Sequence, residues 1–122
     1  MTASPAAWTI AAACAYGIGS IPFGVIIGHL RGVDIRGAGS GNIGATNVGR
    51  LLGKPLGILC FLLDMGKGAV PVLVSGGLFG VLGTNLLDAT AAQLWPWLAV
   101  AIAALLGHMY SPFLAFSGGK GV

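Results

Sequence analysis

Three long stretches of the chain carry no charged side chain: residues 1–30, 68–87 and 89–119. About 20 apolar residues, rising roughly 1.5 Å each, cross the hydrocarbon core of a bilayer as a helix. The pattern therefore predicts three membrane-spanning helices, at 5–30, 55–87 and 92–113. The stretch Pro55 to Leu63 is too short to cross alone, so the second span is either one long helix or a broken one. Between the spans the polar positions concentrate in a loop at 31–54 and in a second cluster at 117–122. The fold class that follows is all-α: one polytopic membrane domain over 1–122 with polar, glycine-rich loops.

Composition sharpens this. The chain is 56% hydrophobic and 7% charged, with a mean hydropathy of +0.92, whereas soluble domains carry roughly 25% charged residues. A soluble fold of 122 residues could not bury that much apolar surface. Nothing basic precedes the first run, which is also longer than a signal core, so it is not a secretory leader. Cys14 and Cys60 both sit in apolar runs and read as packed, reduced thiols. Arg31, Arg36, Arg50 and Lys54 cluster in the first loop, whereas the connection at 83–92 holds only Asp88. The positive-inside rule puts that loop in the cytoplasm and the N-terminus outside. Both polar clusters then share the cytoplasmic face, and Leu94-Trp95-Pro96-Trp97 becomes an outer aromatic anchor. The partner implied is the lipid bilayer, and no nucleic-acid partner is expected.

The first cluster reads Gly39-Ser40-Gly41-Asn42-Ile43-Gly44-Ala45-Thr46-Asn47. Its glycines match the dinucleotide fingerprint, with Asp64 as the acidic residue further on. That fingerprint needs a buried strand before it and a βαβ unit around it; here a membrane run precedes, and the dinucleotide reading is rejected. The shared physics survives. Glycines let backbone N–H groups close on an anion, and a helix starting near Ile43 or Gly44 would add its own free N–H groups. Ser40, Asn42, Thr46 and Asn47 supply neutral donors, and Arg50 lies one helical turn beyond Thr46. The loop reads as a phosphate cradle; the plainer alternative is a loop whose arginines set topology and touch anionic lipid.

The second cluster is Ser117-Gly118-Gly119-Lys120-Gly121. A lysine among glycines suits another phosphate contact, or equally a stop-transfer charge at a helix end. Asp64 and Lys67, three apart, are expected to pair as a structural couple at the cytoplasmic end of the second span. His108 is expected to be a hydrogen-bonded structural residue. No metal-ligand spacing, Ser-His-Asp order or nucleophile elbow is visible, so no metal or cofactor is expected.

Four motifs occur in order: Gly19-Ser20-Ile21-Pro22-Phe23-Gly24; Gly37 to Arg50; Leu63-Asp64-Met65-Gly66-Lys67-Gly68; and Gly107-His108-Met109-Tyr110-Ser111-Pro112-Phe113 running into Gly118-Gly119-Lys120-Gly121-Val122. The chain from Gly19 onward closely resembles the bacterial acyl-phosphate:glycerol-3-phosphate acyltransferase family, PlsY. The resemblance implies an inner-membrane enzyme that moves a fatty acyl group from acyl phosphate to the 1-hydroxyl of glycerol 3-phosphate, giving lysophosphatidic acid for phospholipid synthesis. It implies small-molecule substrates and no metal, with the acceptor's own phosphate as the base. It places Ser40, Asn42, Arg50 and Lys120 in the catalytic set. Gly41, Gly44, Ala45, Thr46, Asn47, Gly118 and Gly119 are expected around the substrate phosphates, and Asp64, Lys67 and His108 in support. Family members continue into further helices and a third cytoplasmic motif, so the resemblance implies an N-terminal fragment. An anion-transporter-like protein and an inactive fragment are the competing readings.

Overall fold

Ser4 accepts a hydrogen bond from the N–H of Ala7 at 3.2 Å, and Pro5 follows it; together they start helix α1, Pro5–Gly19. The computed structural model describes residues 3–85 and 87–121, among which there are helices and turns but no strand. Leu86 and Val122, within the predicted second span and second motif, lie outside the described residues. The other helices are α2, Phe23–Leu30; α3, Ala45–Leu52; α4, Lys54–Leu78; and α5, Ala91–Met109, followed by a single 3-10 turn at Pro112–Leu114.

The first span is not one rod. Proline has no N–H to donate and disfavours helix in the residue before it; at Pro22 the helix breaks, and α2 resumes at Phe23. The second span, left open as whole or broken, is one helix of 25 residues that carries Pro71 in its interior. It ends at Leu78, nine positions before the predicted boundary. Gly53, at φ 99°, ends α3 and starts α4 within a single residue. In the third span, the Gln93 side chain accepts from the Thr90 N–H at 3.1 Å, a capping box that sets the start of α5. Pro5–Leu30, Lys54–Leu78 and Ala91–Leu114 are each long and apolar enough to cross a bilayer.

Helices in lipid associate by close backbone approach at small residues rather than by a hydrophobic driving force. α1 and α5 do this: Gly19 faces the backbone of Ala104, and Gly107 faces the Tyr16 carbonyl and Ser20. The Tyr16 hydroxyl then donates to the Tyr110 carbonyl at 2.6 Å, and Ser111 Oγ to the Ser20 carbonyl at 2.6 Å. α3 and α4 meet at Gly49 and Gly57, where a Cβ on Gly57 would stand 2.7 Å from the Gly49 Cα.

Two apolar cores result. One lies under the first loop and joins Val25, Ile27, Ile35, Ile43, Val48, Cys60 and Leu114. The other lies toward the opposite end and joins Trp8, Ala15, Val81, Val100 and Ala104. Cys60 is buried as expected, but Cys14 is exposed on α1, because its face of the helix meets no neighbouring helix. Trp97 is not a free anchor either: its ring N–H donates to the Val72 carbonyl at 2.8 Å, which fixes α5 to α4. Trp95 remains exposed.

Candidate functional site

The loop from Arg31 to Gly44 has no regular structure, yet it is anchored. Ile35 and Ile43 are buried in the core beneath it. The side chain of Asn47, almost wholly buried, does the rest. Its Oδ1 accepts from the Ser40 N–H at 3.0 Å, and its Nδ2 donates to the carbonyls of Ile35, Ala38 and Asn42 at 3.0, 3.2 and 2.9 Å. A buried amide with all its groups satisfied organises the backbone around it. Asn47, expected to hold substrate phosphate, instead shapes the loop. The N–H of Gly41 is similarly committed to the Ala38 carbonyl at 2.9 Å. Gly41 is needed for its shape: φ is 71°, and a Cβ would meet the Arg36 carbonyl at 3.0 Å.

What this loop presents is the start of α3. Gly44 is its N-cap, and among the described residues no side chain caps it. The first N–H groups of a helix have no partner within it and carry partial positive charge. Thr46 and Arg50, one turn apart, are both exposed, as is Ser40, whose Oγ lies 3.4 Å from the Asn42 N–H. Outside the spans, Arg36 Nε sits 3.2 Å from Asp34 Oδ1, and this hydrogen bond holds the Asp34 carboxyl below its ordinary value.

The uncapped helix start opens on a cavity of about 580 Å³ between α4 and α5. Asn42, Gly44, Ala45 and Thr46 form one wall, Asp64, Lys67 and His108 the polar floor, and Gly121 brings in the second cluster. The two glycine-rich clusters thus border a single cavity. Phe61, Met65, Gly68, Ala101, Ala104 and Leu105 make its remaining wall apolar. These residues have no polar signature, so only their placement on two packed helices reveals them. Ser40, Arg50 and Lys120 lie outside the lining, and Lys120 is exposed.

Lys67 is buried and pairs with Asp64 at 2.8 Å, as the spacing of three predicts. The pair is not at a helix end, because α4 begins at Lys54 and so places it halfway along the span. Lys67 Nζ also donates to the Ile21 carbonyl at 2.8 Å and lies 5.7 Å from the centre of the Phe23 ring. The thiol of Cys60 approaches the other carboxylate oxygen at 3.6 Å.

The second cluster folds back on α5. Gly118 N–H bonds the Met109 carbonyl at 2.8 Å and Gly119 N–H the His108 carbonyl at 3.0 Å. These carbonyls are left without partners where a helix ends, so the glycine N–H groups expected to hold phosphate cap α5 instead. Both glycines are required, since a Cβ on Gly118 would collide with the His108 carbonyl and one on Gly119 with the His108 ring. Ala115 and Phe116 take left-handed backbone (φ 52° and 62°) to make the return. His108 is half-buried, with Nδ1 lacking any hydrogen-bond partner among the described residues. That differs from the hydrogen-bonded role expected, because its ring serves as packing under Gly119.

The glycerol-3-phosphate acyltransferase family profile matches residues 9–122. The glycerol-3-phosphate acyltransferase of Aquifex aeolicus is 47% identical over 108 residues, covering 88% of this chain and 50% of the relative. That of Geobacter sulfurreducens is 51% identical over 114 residues, covering 93% and 52%. Among solved structures, PlsY (YgiH), an integral membrane glycerol 3-phosphate acyltransferase, matches in its glycerol 3-phosphate form with a TM-score of 0.81 and 45% identity, over 95% of this chain and 52% of that one. Its lysophosphatidic acid form matches with a TM-score of 0.78 and 43% identity, over 94% and 51%. The chain spans about half the length of the curated relatives it matches. Three apolar spans and this kinship make it a multi-pass membrane protein, and it belongs to the glycerol-3-phosphate acyltransferase family.

Proposed function

We propose that the protein carrying this chain transfers a fatty acyl group from acyl phosphate to the 1-hydroxyl of glycerol 3-phosphate, releasing lysophosphatidic acid and inorganic phosphate at the cytoplasmic face of a bacterial plasma membrane. The observation that carries the reading is the uncapped start of α3 opening on a cavity that both glycine-rich clusters border. A relative solved with glycerol 3-phosphate and with lysophosphatidic acid supports an acceptor and a product of this kind. The N-terminus is outside; four of the six basic residues, Arg31, Arg36, Arg50 and Lys54, fall at the cytoplasmic end of the spans.

The acceptor hydroxyl oxygen attacks the acyl carbonyl carbon, the bond from that carbon to the phosphate oxygen breaks, and the hydroxyl proton passes to a phosphate oxygen. Negative charge grows on the carbonyl oxygen and on the departing phosphate. Fixed donors aimed at such charge stabilise the transition state more than the ground state, and holding both substrates together supplies the proximity contribution. The N–H groups of Ala45 and Thr46 at the start of α3, beside Gly44, are the backbone donors. Arg50 and Lys120 neutralise phosphate, and Ser40, Asn42 and Thr46 donate side-chain hydrogen bonds. The apolar wall of Phe61, Met65 and Leu105 suits the methylene chain of an acyl donor that enters from the bilayer.

Membranes containing the full reading frame, given labelled glycerol 3-phosphate, are expected to form lysophosphatidate with acyl phosphate and not with acyl-CoA. Uptake of labelled phosphate into vesicles with no lysophosphatidate formed would replace this reading with the transporter one.

A further inference from the structure

We propose that Lys67 is a positioning residue for the acyl-transfer site, acting on the break in the first span; the inference rests on the acyltransferase reading. Where α1 stops and α2 begins, the Ile21 carbonyl falls outside the regular helical ladder. Lys67, reaching across from the middle of α4, donates to that carbonyl at 2.8 Å and lays its ammonium 5.7 Å from the Phe23 ring centre. One side chain thus holds the link between the two helices and lies beside the first residue of α2. Its charge is held by Asp64 at 2.8 Å, and its side chain is only 4% exposed. An ionisable residue at such depth is retained for a purpose rather than for solubility.

The break matters because α2 and the first loop are packed as one unit. A Cβ on Gly24 would collide with the Ile43 carbonyl, and one on Gly28 would stand 2.6 Å from the Val33 carbonyl and 2.9 Å from the Ile35 side chain. Val25 and Ile27 share one core with Ile35 and Ile43. The angle between α1 and α2 therefore sets where Ser40, Asn42 and the start of α3 stand over the cavity, and Lys67 sets that angle. A displacement of about 1 Å at a catalytic constellation lowers turnover on the order of 100-fold.

Lys67→Met alone would leave Asp64 as a buried unpaired charge, so the test uses Asp64→Asn/Lys67→Met in the full reading frame. Two readouts are taken on detergent-purified folded protein. The first is kcat and KM with acyl phosphate and glycerol 3-phosphate. The second is the distance between spin labels on native Cys14, exposed on α1, and on Gly37→Cys in the loop, where a Cβ has room. The expected result is a fall in kcat of about 100-fold with KM for acyl phosphate within a few-fold, together with a shifted or broadened label distance. A kcat near that of the unchanged protein, or an unchanged distance distribution, overturns the proposal. Absence of transfer by the unchanged protein would instead overturn the acyltransferase reading, and the label distance would still report whether Lys67 sets the loop.

Discussion

The two irregular connections, at 31–44 and 79–90, are alike in length but hold five glycines and two, and they are built on opposite principles. The one at 31–44 is pinned from below by Ile35 and Ile43 and from within by the Asn47 amide. In the one at 79–90, Val81 and part-buried Phe79 reach a core, while the polar side chains bond locally: Thr84 Oγ1 to the Val81 carbonyl at 2.7 Å, and Asn85 Nδ2 to Asp88 at 3.3 Å. A loop that must hold a ligand needs its backbone fixed at long range, because ordering it at the moment of binding would cost about 1–2 kcal/mol per residue. A connector has no such requirement.

The comparison can be broken at its strongest point first. Asn47→Ala removes every side-chain bond of the loop's organiser and leaves the Ile35 and Asn42 carbonyls without a donor, which costs about 1–3 kcal/mol each where no water replaces it. The expected outcome is a marked loss of thermal stability in detergent and a fall in acyl transfer of about 100-fold or more. Next, Gly57→Leu forces a side chain against the Gly49 backbone; overpacking of this kind costs about 1–3 kcal/mol, and a lowered Tm with a smaller fall in turnover is expected. Asn85→Ala in the 79–90 connection is expected to stay within about 0.5 kcal/mol and to leave turnover unchanged. If Asn85→Ala proved as damaging as Asn47→Ala, the contrast between the two loops would be void.

The smallest effect concerns pH. The Arg36 hydrogen bond lowers the folded Asp34 pKa below its ordinary value of 3.8. A lowered folded pKa contributes stability above the unfolded value and loses it as pH falls through the folded one. Asp34→Asn should therefore flatten a slight loss of thermal stability as pH falls from neutral through the ordinary carboxylate value of 3.8, measured by unfolding in detergent. Both groups are exposed, so the change is the least of the set.

How much of this could be read from the chain follows the range of the interactions. The three spans were legible because uninterrupted apolar runs report on the solvent around a helix. The Asp64–Lys67 pair was legible because a separation of three residues places both on one helix face. The interruption at Ile21-Pro22 carried its own proline signal, yet the run around it reads as a single crossing. The jobs of Asn47, Gly118 and Gly119 were not legible. Each depends on the chain returning to a distant backbone group, the loop carbonyls in one case and the end of α5 in the other. A donor in a glycine-rich stretch has the same local sequence whether it faces a phosphate or a carbonyl. The apolar half of the cavity, Phe61 to Leu105, likewise arises only from the packing of α4 against α5.

The central claim is that the two glycine-rich clusters form one phosphate-handling site for acyl transfer. The most direct measurement is the rate of lysophosphatidate formation from acyl phosphate in membranes carrying Arg50→Ala or Lys120→Ala in the full reading frame, each normalised to inserted protein. Both variants are expected to insert normally and to lose on the order of 100-fold or more in turnover, as removal of a fixed charge or donor from a transition state does. Near-normal turnover in either variant would contradict the claim that the two clusters act as one site.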